Sequence, residues 1–195
     1  VSPEDLLTAL TAQHLQATVR WTASRSEEFT SGMQGRGSEM AGHLHLDAQG
    51  MFTGLSAQLH FYLGAWLPFS AVVPLRNAAR ILPGPYRVGA LAVQGRATQA
   101  HAAPVNIYRG AGRPEAALLI ETLVEKAARQ CQLDPVEFRQ RNLIPPEAMP
   151  YTSGTGECLD SGHYALALAQ ACERFQYTEQ RTQQQSRRAQ GECVG

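Results

Sequence analysis

Residues 43–63 of this chain fold most readily into a β-hairpin. His43 to Leu46 alternates polar and apolar residues, and residues 47–50 have the composition of a tight turn. Met51 to Leu63 then continues with β-branched, aromatic and apolar side chains, which favour an extended strand. The sequence therefore predicts one long strand that pairs with the strand before it.

Shorter segments surround this hairpin. Residues 18–21 and 86–98 have strand character. Residues 25–37 are polar and contain glycine, which predicts a loop. The prolines of residues 68–85 leave room for one short helix, around residues 71–79.

Most helices are predicted in the second half of the chain. Apolar residues recur at helical spacing over residues 116–127, Asp134 can cap a helix that begins at Pro135, and residues 160–162 open another. Ser2-Pro3 also predicts a helix start. Residues 176–190 are polar and Gln-rich, which indicates either an exposed helix or a frayed tail. Strands followed by helices predict an α+β fold, a two-layer arrangement of a mixed sheet with helices.

The charge balance argues against two classes of partner. The chain has 195 residues, 44% of them hydrophobic, which fits a folded domain rather than a disordered segment. Lys+Arg and Asp+Glu both number 17, so the formal net charge is zero. Nucleic acid and anionic membranes call for a basic surface, and no apolar run reaches the length of a membrane span. We therefore expect no nucleic-acid partner and no membrane span.

The cysteines and the start of the chain give weaker evidence, which concerns metal sites and the cellular compartment. Cys131, Cys158, Cys172 and Cys193 form no C-x-x-C pair, which argues against a zinc or iron–sulfur site made by this chain alone. We expect small, buried or half-buried thiols in a reducing compartment, and hence a cytoplasmic protein. No signal peptide opens the chain, but the first residue is Val1 rather than Met, so this absence says little about the compartment.

Residues 104–116 carry the chemically informative pattern. A strand leads into a Gly-rich loop with Gly110 and Gly112, and a helix begins at Pro114. Glycines let the backbone approach a ligand closely, a helix N-terminus offers unpaired N–H groups, and Arg109 adds a fixed positive charge. This combination suits an anionic or oxo-bearing ligand, although by composition alone a plain structural turn is the commoner outcome.

The literal sequence adds a resemblance. Residues 108–116 read Y-R-G-A-G-R-P-E-A, which resembles the molybdenum-site loop in the large subunits of xanthine dehydrogenase/aldehyde oxidase-type molybdenum hydroxylases. This group also contains carbon monoxide dehydrogenase and bacterial N-heterocycle hydroxylases. Further stretches resemble family motifs in the family's order: residues 2–4, 19–27, 63–65, 82–88, 133–146 and 150–162. The resemblance covers nearly the whole chain and is that of an internal fragment of the subunit.

The resemblance implies a cofactor and a reaction. The cofactor is a molybdopterin with molybdenum, in bacteria usually a dinucleotide form. In the family, a metal-bound hydroxide attacks an electron-poor carbon of an aldehyde or N-heterocycle, and hydride transfer follows. The implied partners are a small-molecule substrate, the rest of the large subunit, a small subunit with iron–sulfur clusters and a flavin subunit with FAD.

The resemblance also implies site residues, which are assigned by their positions in the matched motifs. The resemblance implies that Tyr108, Arg109, Gly110, Ala111 and Gly112 bind the cofactor, with Arg109 beside the molybdenum centre. Ala111 lies where xanthine- and aldehyde-oxidising members carry an aromatic residue that stacks on the substrate, so alanine would open the substrate pocket. Gly110 lies where carbon monoxide dehydrogenases carry a cysteine, which argues against carbon monoxide oxidation.

Asn77 is the second implied pocket residue. It lies near the position of a substrate-guiding arginine in purine-oxidising members, with Arg76 adjacent. No residue of the chain is assigned as a direct metal ligand. His43, His45 and His60 alternate on strands, but the family holds its metal through the pterin, so surface or packing roles are expected for them.

The chain also departs from the family pattern. A pterin-contacting "GGGFGxK" loop is expected before Val1 and the glutamate general base beyond Gly195, so no catalytic residue is assigned. Glu115 and Glu121 are expected to have structural or surface roles. We expect one partial cofactor-binding domain over residues 1–195: a sheet-rich half (1–100), a loop with helices (101–175) and a polar segment (176–195) toward a missing next strand.

Two other interpretations remain open at this point. The chain can be a truncated, non-catalytic remnant that serves as a structural or binding domain. It can also be an unrelated anion-binding module built around the Gly-rich helix start, which requires every motif match to be coincidental.

Overall fold

A three-stranded mixed sheet forms the centre of the protein. The computed structural model describes residues 2–195. The helices are α1 (Pro3–Leu15), α2 (Arg25–Ser31), α3 (Val73–Ile81), α4 (Arg113–Gln130), α5 (Pro135–Asn142), α6 (Tyr164–Arg174) and α7 (Tyr177–Ala189), with a 3₁₀ turn at Pro146–Ala148. The strands are β1 (Ser38–Leu46), β2 (Phe52–Tyr62), β3 (Ala90–Thr98), β4 (Tyr151–Thr152) and β5 (Cys158–Leu159).

The sheet has the order β1-β2-β3, with β2 in the centre. β1 and β2 are antiparallel and form the predicted hairpin, with an irregularity between His45 and Leu46. β2 and β3 are parallel, and α3 lies in the connection between them. The prediction of an α+β fold with a mixed sheet is confirmed, although α1 and α2 precede the strands and α3 separates β2 from β3.

Helices cover one face of the sheet. Leu55 and Leu59 of β2, each 1% exposed, point into a core that α4 completes with Ile120 and Val124. Full burial of such aliphatic side chains contributes roughly 1.5–3 kcal/mol each. The helical spacing predicted for residues 116–127 is confirmed, because the apolar side of α4 packs against this sheet face.

Two predictions for the first third of the chain are wrong. Residues 18–21 form no strand, since they have no partner strand among residues 2–195. Within the predicted loop 25–37, residues 25–31 are helical because Ser24 and Glu27 form a capping box, with reciprocal bonds of 3.3 Å and 2.7 Å. The helix start at Ser2 is confirmed, with the same kind of box to Asp5.

The later helix starts agree closely with the sequence. Asp134 caps α5 by accepting hydrogen bonds from the backbone N–H groups of Val136 and Glu137. α6 begins slightly later than predicted, because the ring of His163 provides its N-terminal cap. Residues 177–189 form an exposed helix, which decides between the helix and the frayed tail. None of the helices within residues 2–195 is both long and apolar enough to cross a membrane.

The cysteines differ from expectation. All four are free thiols, but Cys131, Cys158 and Cys193 are exposed and Cys172 is only partly buried. Cys131 follows the last turn of α4, and Cys158 lies on a two-residue strand at the surface. Short surface elements bury little, so the predicted burial of these thiols is wrong for three of the four.

A buried tyrosine makes the stability of the fold depend on pH. Burial, and then a 2.8 Å hydrogen bond from the Tyr86 hydroxyl to the Glu121 carboxylate, raise the pKa of Tyr86 well above 10.0. The folded state therefore retains this proton more strongly than the unfolded state does. The stabilisation that results is fully present below about pH 10 and is lost as the pH rises further toward the folded-state pKa.

We expect Tyr86→Phe to lower the free energy of unfolding by about 1–2 kcal/mol at pH 8, the contribution of a hydrogen bond to a charged acceptor. The difference from the wild type should shrink as the pH rises above about 10. Urea unfolding at a series of pH values measures both. A difference that is constant up to pH 11 would contradict the proposed linkage.

Candidate functional site

The Gly-rich loop is held from behind by a short bridge. Val105 pairs with Gln34 in a parallel β-bridge, and its N–H donates to Leu63 O over 3.1 Å. Gln34 donates to Pro104 O at 2.8 Å and accepts from the N–H of Asn106 at 2.9 Å. These bonds fix the direction in which the chain enters the loop at Tyr108.

Three consecutive residues of the loop have positive φ angles. The values are 88° at Gly110, 23° at Ala111 and 84° at Gly112. The turn closes through hydrogen bonds from Ala111 N to Tyr108 O (2.8 Å) and from Arg113 N to Gly110 O (2.9 Å). Glycine adopts this conformation without steric cost, and Ala111 adopts it at some cost, which makes the loop a strained backbone turn.

Helix α3 supports the far end of the loop. A Cβ atom built on Gly112 would lie 1.9 Å from Pro74 O and 2.8 Å from Ala78 N, so the backbone of Gly112 lies directly against α3. The side-chain amide of Asn77 donates a 3.0 Å hydrogen bond to Ala111 O. Asn77 thus contacts the loop through Ala111, which brings together the two residues predicted to line the substrate pocket.

An arginine from the segment before β1 supports the near end. Arg36 Nη2 donates to Arg109 O at 2.7 Å, and Arg36 Nη1 lies 3.2 Å and 3.3 Å from the two carboxylate oxygens of Glu115. Its guanidinium also lies 4.8 Å from the centre of the Tyr108 ring. Glu115 is only 7% exposed, whereas the Arg36 side chain is 36% exposed, so the carboxylate of this ion pair is shielded from water and the guanidinium is only partly shielded.

The outer surface of the loop faces solvent. Tyr108 is 65% exposed, and Arg109 and Gly110 are exposed as well. Within residues 2–195, the Arg109 guanidinium has no hydrogen-bond or ion-pair partner. No side chain caps the start of α4. A free guanidinium, an exposed glycine backbone and an uncapped helix start form a surface that can receive an anionic or oxo-bearing group.

The two glutamates near the loop are engaged elsewhere. Glu115 pairs with Arg36, while Glu121 accepts from the Tyr86 hydroxyl and from Arg139 Nε at 3.0 Å. Both have structural partners, and the expectation that neither is a catalytic base stays a prediction. In the described part of the chain, no three His, Cys, Asp or Glu side chains come together as potential metal ligands.

Arg36 is the residue of this site that the sequence did not reveal. It lies 79 positions before Glu115 and 73 before Arg109. It is one of several polar residues in a stretch predicted to be a loop. The only local signal is a glycine on either side, which permits the turn but does not indicate its partners.

Comparison with known proteins gives concordant matches. Residues 1–143 match the family described as molybdopterin cofactor-binding domain. The whole chain is 32% identical to the 6-hydroxypseudooxynicotine dehydrogenase complex subunit gamma of Paenarthrobacter nicotinovorans, of which it covers 25%. Over 88% of its length it is 30% identical to the carbon monoxide dehydrogenase large chain of Hydrogenophaga pseudoflava, of which it covers 22%.

A solved structure shares the same arrangement. Quinoline 2-oxidoreductase from Pseudomonas putida 86 superposes with a TM-score of 0.91 and 30% identity, over 97% of this chain and 24% of the other. The chain therefore spans about a quarter of the length of the relatives it matches.

Proposed function

Because the chain belongs to the molybdopterin cofactor-binding domain family of molybdenum hydroxylases, we propose that its Gly-rich loop forms part of a molybdopterin site in a hydroxylating oxidoreductase. The observation that carries the proposal is the loop at residues 108–112, whose backbone is fixed from both sides while Tyr108, Arg109 and Gly110 stay exposed on its outer surface. A rigid backbone with an accessible outer surface suits a cofactor that is held mainly by main-chain groups.

Each loop residue then has a role toward the cofactor. The exposed guanidinium of Arg109 would donate to its oxygen atoms, and the backbone of Gly110 to Gly112 would line it. Tyr108 flanks the same surface. When bound, the molybdenum centre supplies the hydroxylating and electron-accepting chemistry. The chain itself binds and orients the cofactor, and the catalytic glutamate is expected outside residues 1–195.

The substrate class is proposed from the name of one similar protein, because the pocket residues of this chain do not specify it. Ala111 has a small side chain and the Asn77 amide is held by its hydrogen bond to Ala111 O, so neither residue provides an aromatic ring or a charge for a substrate. One similar protein is named for quinoline, an N-heterocycle, and we take an N-heterocycle in preference to an aldehyde as the substrate class. Gly110 provides no thiol for a copper–molybdenum centre, so carbon monoxide is not the proposed substrate.

The proposed assembly extends beyond this chain. Two of the similar proteins are named as a complex subunit and a large chain. We propose that residues 1–195 form one partial domain of a large subunit, with iron–sulfur clusters and FAD on partner subunits, a dinucleotide form of the pterin, and a cytoplasmic location. The polar segment 176–195 would lead toward the remainder of that subunit.

Arg109→Ala tests the proposed function. In the complete large subunit isolated from molybdenum-replete cells, we expect molybdenum per polypeptide to fall about tenfold, because a charged donor beside the cofactor is lost. The free energy of unfolding should change by less than about 0.5 kcal/mol, since the side chain is exposed.

Arg129→Ala is the matched control, because Arg129 is an exposed arginine near the other end of α4, in an i,i+4 pair with Glu125. Elemental analysis of wild type, variant and control gives the answer. Equal molybdenum content in all three, together with equal turnover, would rule out the role assigned to Arg109. A wild-type large subunit that retains no molybdenum would rule out the proposed function itself.

A further inference from the structure

The conformation of the Gly-rich loop depends on one arginine outside it. Arg36 lies between α2 and β1 and contacts three groups of the site: Arg109 O, the Tyr108 ring and the Glu115 carboxylate. Gly35 packs equally closely, since a Cβ atom built there would lie 3.0 Å from Tyr108 Cβ. The segment before β1 is therefore shaped to fit residues 108–109.

The contacts use properties that only arginine has. Nη1 of Arg36 donates to both carboxylate oxygens of Glu115, and Nη2 donates to the carbonyl oxygen of Arg109. The flat face of the guanidinium lies over the Tyr108 ring. Lysine provides a single compact ammonium group and cannot reproduce this divided arrangement. Arg36 also has a φ of 62°, a conformation uncommon for a side chain of this size and consistent with strong tertiary constraint.

The buried carboxylate of Glu115 holds the guanidinium in place. Glu115 lies in the first turn of α4, immediately after the loop, and is 8% exposed at its side chain against 36% for Arg36. The ion pair thus ties the start of α4 to the segment before β1, and the second guanidinium nitrogen of the same side chain fixes the backbone of Arg109 between them.

We infer that Arg36 is a positioning residue for the cofactor loop: it fixes the carbonyl of Arg109 and thereby the direction in which the Arg109 side chain faces. This inference rests on the proposed function for the identity of the bound group. The positioning itself is a property of the chain and can be measured without the cofactor.

The experiment compares Arg36→Lys, Arg36→Ala and wild type by two measurements on the purified protein. Hydrogen exchange follows the amide of Ala111, which donates to Tyr108 O, against the amide of Leu59 in β2 as an internal reference. Elemental analysis follows molybdenum per polypeptide in the complete large subunit after expression in molybdenum-replete cells. Arg80→Lys is the control, because Arg80 also pairs with a partly buried glutamate, Glu157, through a 2.6 Å contact.

Arg36→Lys keeps a positive charge for Glu115, so we expect the exchange of Leu59 to stay unchanged. Exchange of Ala111 should become about fivefold faster, the factor that corresponds to one lost hydrogen bond, and molybdenum content should fall several-fold. If Arg36→Ala does not fold, Arg36→Lys alone decides.

Each remaining outcome is informative. Wild-type exchange at Ala111 in Arg36→Lys, or an equal change in Arg80→Lys, overturns the positioning role. Faster exchange with unchanged molybdenum content overturns its relevance to the cofactor. If the wild type binds no molybdenum, the proposed function fails, and the exchange measurement still decides whether Arg36 positions the loop.

Discussion

Gly112→Ala is expected to lower the free energy of unfolding by at least about 3 kcal/mol and to abolish cofactor retention. Two independent costs add at this residue. Its φ of 84° is unfavourable for any residue with a Cβ atom. The Cβ atom would also lie 1.9 Å from Pro74 O and 2.8 Å from Ala78 N, and both are backbone atoms that no side-chain rotation can remove.

Gly156→Ala separates the two costs. Gly156 has nearly the same φ, 81°, but a Cβ atom built there has no other atom within 4 Å. We expect this control to lose only about 1 kcal/mol, the cost of the backbone conformation alone. Urea unfolding of the two variants gives the difference, which measures the close approach of the loop to α3. Equal destabilisation would mean that α3 and the loop can separate at little cost, and the supporting role of α3 would then be wrong.

The elements that were predicted correctly from the sequence are those with strong local signals. The hairpin of β1 and β2 follows from alternation around a turn, and α5 from the cap at Asp134. α2 was not predicted because its polar residues suggested a loop, although Ser24 and Glu27 have the spacing of a capping box in the sequence. The strand predicted at residues 18–21 fails because a strand depends on a partner, and local composition does not reveal one.

The residues of the candidate site also divide into those with a local sequence signal and those without one. Residues 108–112 were predicted as the cofactor loop from a contiguous string, and the structure brings Asn77 to the same loop. The contacts of Arg36 with Arg109 and Glu115 span 73 and 79 positions, so they depend on how α4 packs beside β1 rather than on any local pattern. The sequence could therefore predict which residues form the loop, but not which residues hold it in place.

Asn142 provides a buried polar contact of the same long-range kind. It is 1% exposed at the end of α5, where Oδ1 accepts from Phe52 N at 2.8 Å and Nδ2 donates to Gly50 O at 3.0 Å. Its side chain thereby joins α5 to the turn of the β1–β2 hairpin, 90 or more positions earlier. Its backbone O accepts from Arg87 N at 2.9 Å, which adds the segment before β3.

We expect Asn142→Ala to lower the free energy of unfolding by about 4 kcal/mol. The substitution leaves the N–H of Phe52 and the C=O of Gly50 buried without their side-chain partners, and each unsatisfied group costs about 1–3 kcal/mol. Gln140→Ala on the same helix is the control, because Gln140 is exposed and should change stability by less than about 0.5 kcal/mol. Urea unfolding compares the two.

Hydrogen exchange locates the effect of Asn142→Ala. Since the lost bonds anchor the hairpin turn, we expect amide exchange at Phe52 to accelerate more than at Val124 in the centre of α4. Uniform acceleration across both sites would mean that the variant unfolds only globally. A loss of stability below about 1 kcal/mol would show that water or a neighbouring group replaces the amide, because the two backbone groups would then no longer be unsatisfied.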